Sequence, residues 1–350
     1  MSTGTRSSAR TLPDGVGIIG GGLSGALLAL ALRERGLAVQ LLVADGPRAS
    51  FSSYGVIPGW PLEPSPLGRR AAGAARDWQQ LQRSHGELGW RWRRRWPLPL
   101  SRVDTVRFAE GLERVLAAAG VPCRRARVAG LEPRALGWRL PLDGGGAVEV
   151  SEVVLAAGAG CQALGVPLPP VLGVSWAGVL ELPPPPSGGA YPLRLPARLQ
   201  RIALEARSAT LQEAEWVVDP GLVPWGAGGL LGQLSWVAPG AAAGPGPDPT
   251  LAEFWLRRSV AAAAPAPLAT LAAEAGRYRQ LPVAFCRDGL PLAGPLEAPG
   301  LWLFSGFRGA FAQVPVLAPL LAAAIAGGLE ESEAARAELA RLRVLPALRG

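Results

Sequence analysis

Three glycines define the chemistry open to this chain. Gly20, Gly22 and Gly25 fall at G-x-G-x-x-G spacing, directly after the apolar residues Val16, Ile18 and Ile19. An apolar strand that turns through glycines into a helix is a seat for a pyrophosphate. Gly20 allows the tight turn, Gly22 lets the backbone approach the phosphates, and Gly25 lets the new helix pack on the strand. Leu23 and Ser24 open that helix, whose free N–H groups and positive dipole end face the anion. Asp45 lies twenty residues beyond Gly25, near where an acid would bond an adenosine ribose. Strand, turn, helix, strand and acid occur in order, which favours dinucleotide binding over a glycine turn of purely structural use.

Other chemistries are excluded by what is missing. His85 is the only histidine, which rules out zinc sites built on histidine and Ser-His-Asp triads. Cys123, Cys161 and Cys286 lack metal-ligand spacing, and their odd number argues against a disulfide framework. No metal is expected. All 35 basic residues are Arg, and the net charge is +8. That balance suits either an anionic partner or a compositional bias towards Arg, Gly and Pro, and the second reading is preferred. Interleaved Trp and Arg over residues 90–96 would suit stacking on nucleic-acid bases or a membrane surface. A domain-edge segment with buried Trp and solvated Arg is the plainer reading and the one adopted.

The elements that must position these residues read as an α/β chain. At 350 residues with a mean hydropathy of +0.22, it buries a large core and divides into two domains. Ala26 to Arg35 reads as a helix and Ala38 to Val43 as the second strand. Residues 67–83 and 103–119 are helical, the latter with Val106, Leu112, Val115 and Leu116 inward. Strands are expected at 123–132, 137–142 and 147–150, and at Val153 to Leu155, which runs into Gly158. Short strands broken by Pro and Gly follow from 171 to 236, then a loop at 239–249 and helices at 250–261 and 268–275. Strands Leu281 to Phe285 and Leu301 to Phe304 close the sheet, and the second leads into the glycine-rich Ser305–Ala310 junction. Phe311 to Gly328 is apolar enough to resemble a membrane span. Its prolines and short length point to a buried helix instead, and a soluble cytoplasmic protein is expected. Residues 1–14 lack the apolar core of a secretory signal.

Four blocks in order, GIIGGGLSG (17–25), AS-x-x-x-x-G-x-I (49–57), EVVLAAGAG (152–160) and DGLPLAGP…GLWLFSGFRGAF (288–311), resemble the flavin-dependent D-amino-acid oxidase and glycine oxidase family. The resemblance implies a Rossmann-like FAD-binding domain and a discontinuous substrate domain built on a mixed β-sheet. The first would comprise 1–66, 100–172 and 288–350, the second 67–99 and 173–287. By position, Gly20, Gly22, Leu23, Ser24 and Gly25 would hold the pyrophosphate, with Ser50 passing the phosphates. Gly55 and Val56 would lie near the flavin ring, Val128 would meet the adenine through its backbone, and Gly158 would line the cofactor. Gly309, Ala310 and Phe311 would open a helix facing the pyrimidine edge, where its dipole offsets negative charge.

Two departures stand out. The family's ribose-binding acid falls on Val43, with Asp45 two residues on, and strand periodicity would let Asp45 point the same way. The family's carboxylate-clamping Arg falls on Val283, and valine cannot replace a bidentate guanidinium. Arg279 or Arg308 would have to compensate. Cys286 sits at the wrong offset for a covalent flavin link and reads as a buried thiol. The function implied is FAD-dependent oxidation of a C–N bond in an amine or amino-acid-like substrate. Arg308, Tyr54 and Tyr278 are the substrate-side candidates. The alternatives are a flavoenzyme acting on a tRNA-linked amine and a flavin-binding homologue without catalysis.

Overall fold

A computed structural model describes residues 15–94, 99–186, 188–196, 198–263 and 266–349. The chain opens with β1 (Val16–Ile19), α1 (Leu23–Glu34), β2 (Val39–Val43) and β3 (Val56–Pro58). It continues through α2 (Pro66–Ala71), α3 (Ala74–His85), β4 (Trp90–Arg94), β5 (Pro99–Val103) and α4 (Thr105–Ala118). Next come β6 (Cys123–Arg125), β7 (Glu132–Arg134), β8 (Gly137–Pro141), β9 (Ala147–Val150) and β10 (Glu152–Leu155). The middle holds β11 (Leu172–Leu182), α5 (Gln200–Ala206), β12 (Glu215–Trp225), β13 (Gly228–Val237), α6 (Pro249–Ala263) and α7 (Ala266–Glu274). It ends with β14 (Arg277–Cys286), β15 (Leu292–Pro295), β16 (Leu301–Ser305), α8 (Ala310–Ala326) and α9 (Leu329–Arg341).

The first strand lies at the centre of a six-stranded sheet ordered β15-β16-β10-β1-β2-β6, parallel except for β15. A strand flanked on both sides and covered on both faces must be apolar throughout, as all four residues of β1 are. On one face α1, α4 and α8 pack into a core with Val16, Ile18 and Leu41. The other face carries the antiparallel β7-β8-β9 sheet, whose Leu140, Val148 and Val150 meet Ile19, Leu42 and Leu155. Gly17 makes that approach possible, since a Cβ there would lie 3.1 Å from the Val150 side chain.

A second sheet, β12-β13-β11-β14, is antiparallel throughout. Its strands correct the expectation of short ones over 171–236: β11 and β12 run to 11 residues each and β13 to 10. Proline did not break them because of where it falls. Pro220 and Pro224 lie in β12 and Pro282 in β14, both edge strands, and β12 bulges between Asp219 and Leu222. Side chains alternate: Leu180, Leu182 and Leu231 pack under α6, whereas Val179, Val223 and Leu230 pack against Tyr54, Val56 and Trp60. The short β3-β5-β4 sheet supplies Val56 and Leu100 to that second contact.

The region expected as one helix over 67–83 is two, α2 and α3, parted at Gly73. Leu67, Ala71, Ala74 and Trp78 pack into the core around α1 and α8. α8 is the helix expected over 311–328, buried over most of its length, and it carries Pro315 and Pro319 inside it. Among the described residues, no helix is long and apolar enough to cross a membrane. Side-chain hydrogen bonds tie residues 51–105 to β12. The Tyr54 hydroxyl donates to the Gly221 carbonyl (3.1 Å), and the Trp225 indole N–H is shared by the Phe51 carbonyl and Thr105 Oγ1 (3.0 Å each).

Candidate functional site

The glycine turn is shaped as its spacing predicts. Gly20 has φ +121°, and a Cβ there would stand 2.4 Å from the Ala156 carbonyl oxygen. A Cβ on Gly25 would stand 1.9 Å from the Gly20 carbonyl oxygen, so the start of α1 could not close on β1. Gly22 differs from both. It has ordinary extended angles, φ −81° and ψ −168°, and a Cβ on it would meet only Ser50 Oγ, at 3.3 Å. Its bareness keeps open a crevice at the helix N-terminus rather than relieving a clash inside the fold. Ser50 borders that crevice, its hydroxyl accepting the Leu23 N–H at 3.2 Å, while Ser24 donates to the Ala156 carbonyl at 3.4 Å.

The rim of the crevice is polar. Val43 does not face it, for its side chain fills the space over Gly21, 2.6 Å from where a Cβ would be. Asp45 stands exposed in the turn after β2. Arg48, which sequence reasoning missed, donates to the Gly21 carbonyl (3.3 Å) and lies over the Phe51 ring. Val128 forms a bridge with Leu142 in which the flanking residues make the hydrogen bonds, Ala129 N–H to Pro141 and Asp143 N–H to Arg127. Its own N–H and C=O therefore point away from that partner, towards the edge past β6. Gly158 has φ +58° and open space where a Cβ would be, at the end of β10 beside β1.

A second cleft opens at the N-terminus of α8 between Pro58, Trp60, Leu62, Glu63, Arg308 and Gly309. Gly309 caps α8, and its N–H donates to Gln313 Oε1 at 3.2 Å. Phe311 is turned inward, stacked on Trp78 and edge-on to Phe108, and its carbonyl accepts the Trp78 indole N–H at 2.7 Å. Only its backbone is available to a ligand. Arg308 is 13% exposed, lies flat on Gly289, and stands 3.7 Å from Glu63. Burial pushes the Glu63 carboxyl up, partly opposed by Arg308. Gly55, with φ +64°, brings β3 hard against the Val103 carbonyl, which places Val56 beside Trp60 at the cleft mouth.

The three substrate-side candidates are not brought together. Tyr54 is half-buried, its hydroxyl is held by the Gly221 carbonyl, and desolvation raises its pKa. Tyr278 packs with Leu180 and Leu256 on the α6 side of the cap sheet, the face away from Val56, and donates to Gln280 Oε1 at 3.2 Å. Strand alternation put it there, one residue out of phase with Arg279. Arg279 itself is taken by Glu181, with Nη2 donating to Oε2 at 3.1 Å. Val283 is half-buried opposite Ser175. Trp90 of the Trp/Arg segment is half-buried on the main core while Arg91 is exposed, and Arg95 and Trp96 lie outside the described residues.

The model of the DAO family, "FAD dependent oxidoreductase", matches residues 15–105 and 98–324. The chain belongs to that family. The DAO fold is also seen in solved structures. Iminodiacetate oxidase from Chelativorans sp. BNC1 is similar at 18% identity and TM-score 0.61, covering 89% of this chain and 94% of that one. Glycine oxidase from Geobacillus kaustophilus is similar at 17% and 0.61, covering 90% and 95%. L-amino acid deaminase from Proteus vulgaris is similar at 14% and 0.61, covering 93% and 95%. No curated protein matches the sequence. This DAO-family chain is an FAD-dependent oxidoreductase.

The residues present fit FAD. The crevice left open by Gly22 at the start of α1 has the bare backbone that a pyrophosphate would need, and Val128 has backbone groups that its bridge partner leaves unused, as an adenine would need. The positive end of α8, a 17-residue helix, lies beside the second cleft. Arg48 and Arg201, which also borders the Arg308–Gly309 junction, are the cations that spacing did not reveal. For Arg201 a faint signal existed, an Arg–Glu pair four residues apart (201 and 205), which marks a helix inside a stretch read as strands.

Proposed function

We propose that the chain oxidises the C–N bond of an amine or amino-acid-like substrate, with bound FAD supplying the hydride acceptor. Gly20, Gly22, Gly25, Ser50, Asp45, Val128 and Gly158 hold the cofactor, and Gly309 and Ala310 face its ring end with the α8 N-terminus. The observation that carries the reading is Arg308. It is a guanidinium 13% exposed, at the mouth of a cleft walled by Pro58, Trp60 and Leu62. Among the described residues it makes no hydrogen bond, so its donors remain available to an anionic substrate group. Pro58, Trp60 and Leu62 give that place apolar walls, which strengthens the attraction over its value in open water. Removal of a hydride from a neutral amine needs no strong acid or base, which agrees with a cleft that carries no histidine.

The test is anaerobic mixing of the purified flavoprotein with glycine, D-alanine, secondary amines and larger amino acids while the flavin absorbance is followed. Bleaching by at least one such amine is expected. A flavin that no amine or amino acid reduces sinks the proposal.

A further inference from the structure

The segment after α9 comes back to the turn on which Arg308 rests. It leaves the helix through Arg343, whose φ of +61° is a conformation that non-glycine residues seldom adopt, and then lies along β15. Val344, fully buried, accepts the Ala293 N–H at 2.8 Å. Leu345 and Pro346 fit over Gly294, where a Cβ would stand 2.7 Å from the Leu345 side chain. That path delivers Arg349 to the turn at 288–291. Its side chain is 7% exposed, with Nη1 donating to the Pro291 carbonyl at 2.6 Å and Nη2 to Asp288 Oδ1.

The same turn is the floor under Arg308. Gly289 has φ +81°, and a Cβ on it would stand 2.2 Å from Arg308 Nη1. Neighbouring Cα atoms are about 3.8 Å apart, so that guanidinium lies within about 7.5 Å of the Asp288 Cα. Burial pushes the Glu63 carboxyl up; Arg308 opposes that and Asp288 adds to it, so both charges lie near the same cleft wall. Asp288 is 42% exposed and has room to turn, and its Oδ1 also accepts the Leu290 N–H at 3.2 Å. Two guanidiniums thus stand beside one carboxylate, and the structure gives it to Arg349. Arg349 spends its fork on Asp288 and Pro291, whereas Arg308 keeps its donors and stands 3.7 Å from Glu63.

We infer that Arg349 is a positioning residue: it holds the Asp288 carboxylate away from Arg308 and so keeps the Arg308 guanidinium unpaired for a ligand's negative charge. The inference rests on the proposed role of Arg308 and extends it to a residue outside the cleft. Arg349 touches neither substrate nor cofactor in this scheme and acts through the 288–291 turn. Without it, Asp288 and Arg308 would pair and neutralise each other at the cleft mouth.

The probe is glyoxal, a small dicarbonyl that bonds to the terminal nitrogens of a free guanidinium. It is applied to the FAD-loaded protein, and the modified arginines are located by mass spectrometry after chymotryptic digestion. This reads Arg308 without substrate or turnover. Arg308 should be modified in wild type, and its rate should fall by about fivefold or more in Arg349→Gln, where Asp288 is released to pair with it. Asp288→Asn removes the competing charge and keeps an acceptor for the Leu290 N–H. Arg349→Gln with Asp288→Asn should therefore return to within about twofold of wild type. A residue that merely fastened its own segment would show no such rescue. Arg349→Lys should fall between, since an ammonium keeps the charge and loses the fork. If Arg349→Gln does not fold, Arg349→Lys with and without Asp288→Asn carries the same comparison. An Arg308 that is unreactive in wild type, a rate that the Arg349 variants leave unchanged, or a double variant that stays as slow as the single one overturns the inference. The proposed function fails separately, by the absence of bleaching with every amine, an outcome that leaves these labelling rates as they are.

Discussion

Gly22 and Gly25 are both glycines of one motif, yet substitution at each should fail differently. Gly22 has backbone angles open to any residue, and an added methyl would touch only Ser50 Oγ at 3.3 Å. Ala in place of Gly at a compatible position stabilises by about 0.4–1 kcal/mol, offset by a similar loss of N-cap preference. The apoprotein of Gly22→Ala should therefore melt within about 4 °C of wild type. The methyl would, however, stand in the pyrophosphate crevice, and each charge-assisted N–H bond lost there costs about 1.5–3 kcal/mol. FAD affinity should fall at least tenfold, and further in Gly22→Val. Gly25→Ala behaves oppositely, because its methyl would lie 1.9 Å from the Gly20 carbonyl oxygen. Relief requires α1 to part from β1, a backbone shift costing roughly 1–3 kcal/mol or more. The assay is thermal denaturation of deflavinated protein beside a fluorescence titration with FAD. If Gly22→Ala binds FAD like wild type, or destabilises the apoprotein as much as Gly25→Ala does, the division of labour argued for these glycines is wrong.

Other outcomes follow from the same geometry. Trp78→Ala should cost about 3–5 kcal/mol, seen as a lower urea midpoint, because it empties an aromatic cluster and leaves the Phe311 carbonyl without its donor. A midpoint unchanged in urea would mean that α3 does not brace α8. Burial, opposed by Arg201 and Arg308, raises the Glu205 carboxyl above its ordinary 4.5, so ionising it disfavours the fold. Its favourable contribution is full below about pH 4.5 and is lost as pH rises through the raised value. Glu205→Gln should thus be more stable than wild type at pH 8, with the gap closing on acidification; a gap that widens instead would mean that the ion pair outweighs burial. Burial lifts the Cys161 and Cys286 thiols to about 11 and about 12. A thiol reagent should accordingly label exposed Cys123 in native protein and all three cysteines after denaturation, and rapid native labelling of three would refute the buried placement. Asp45→Ala should weaken FAD by roughly 1–3 kcal/mol if the aspartate bonds the ribose, and equal affinity would leave the ribose to another partner.

The glycine turn, the strands around it, α4 with its inward Leu112 and Val115, and the buried nature of α8 were all legible in the sequence. Each rests on local physics: glycine conformations, a period of 3.6 or 2, and apolar runs long enough to need covering. The chain by itself also determined that no metal site built on several histidines is available, since His85 is the only histidine. It could not determine which side chains share a cleft. Tyr278 and Arg279 are neighbours in sequence, and strand alternation sends one under α6 and the other to Glu181. The Arg201 side chain and the Arg308 backbone carbonyl are 107 residues apart and meet only because Asp219 caps α5 and Phe285 seats it beside β14. The long strands of the cap were hidden because local propensity penalises proline, and only the assembled sheet shows that β12 and β14 are edges where the missing N–H faces no partner. Backbone conformation is set within a few residues, whereas the meeting of distant segments depends on which faces the core buries, and that was decided by the tertiary structure.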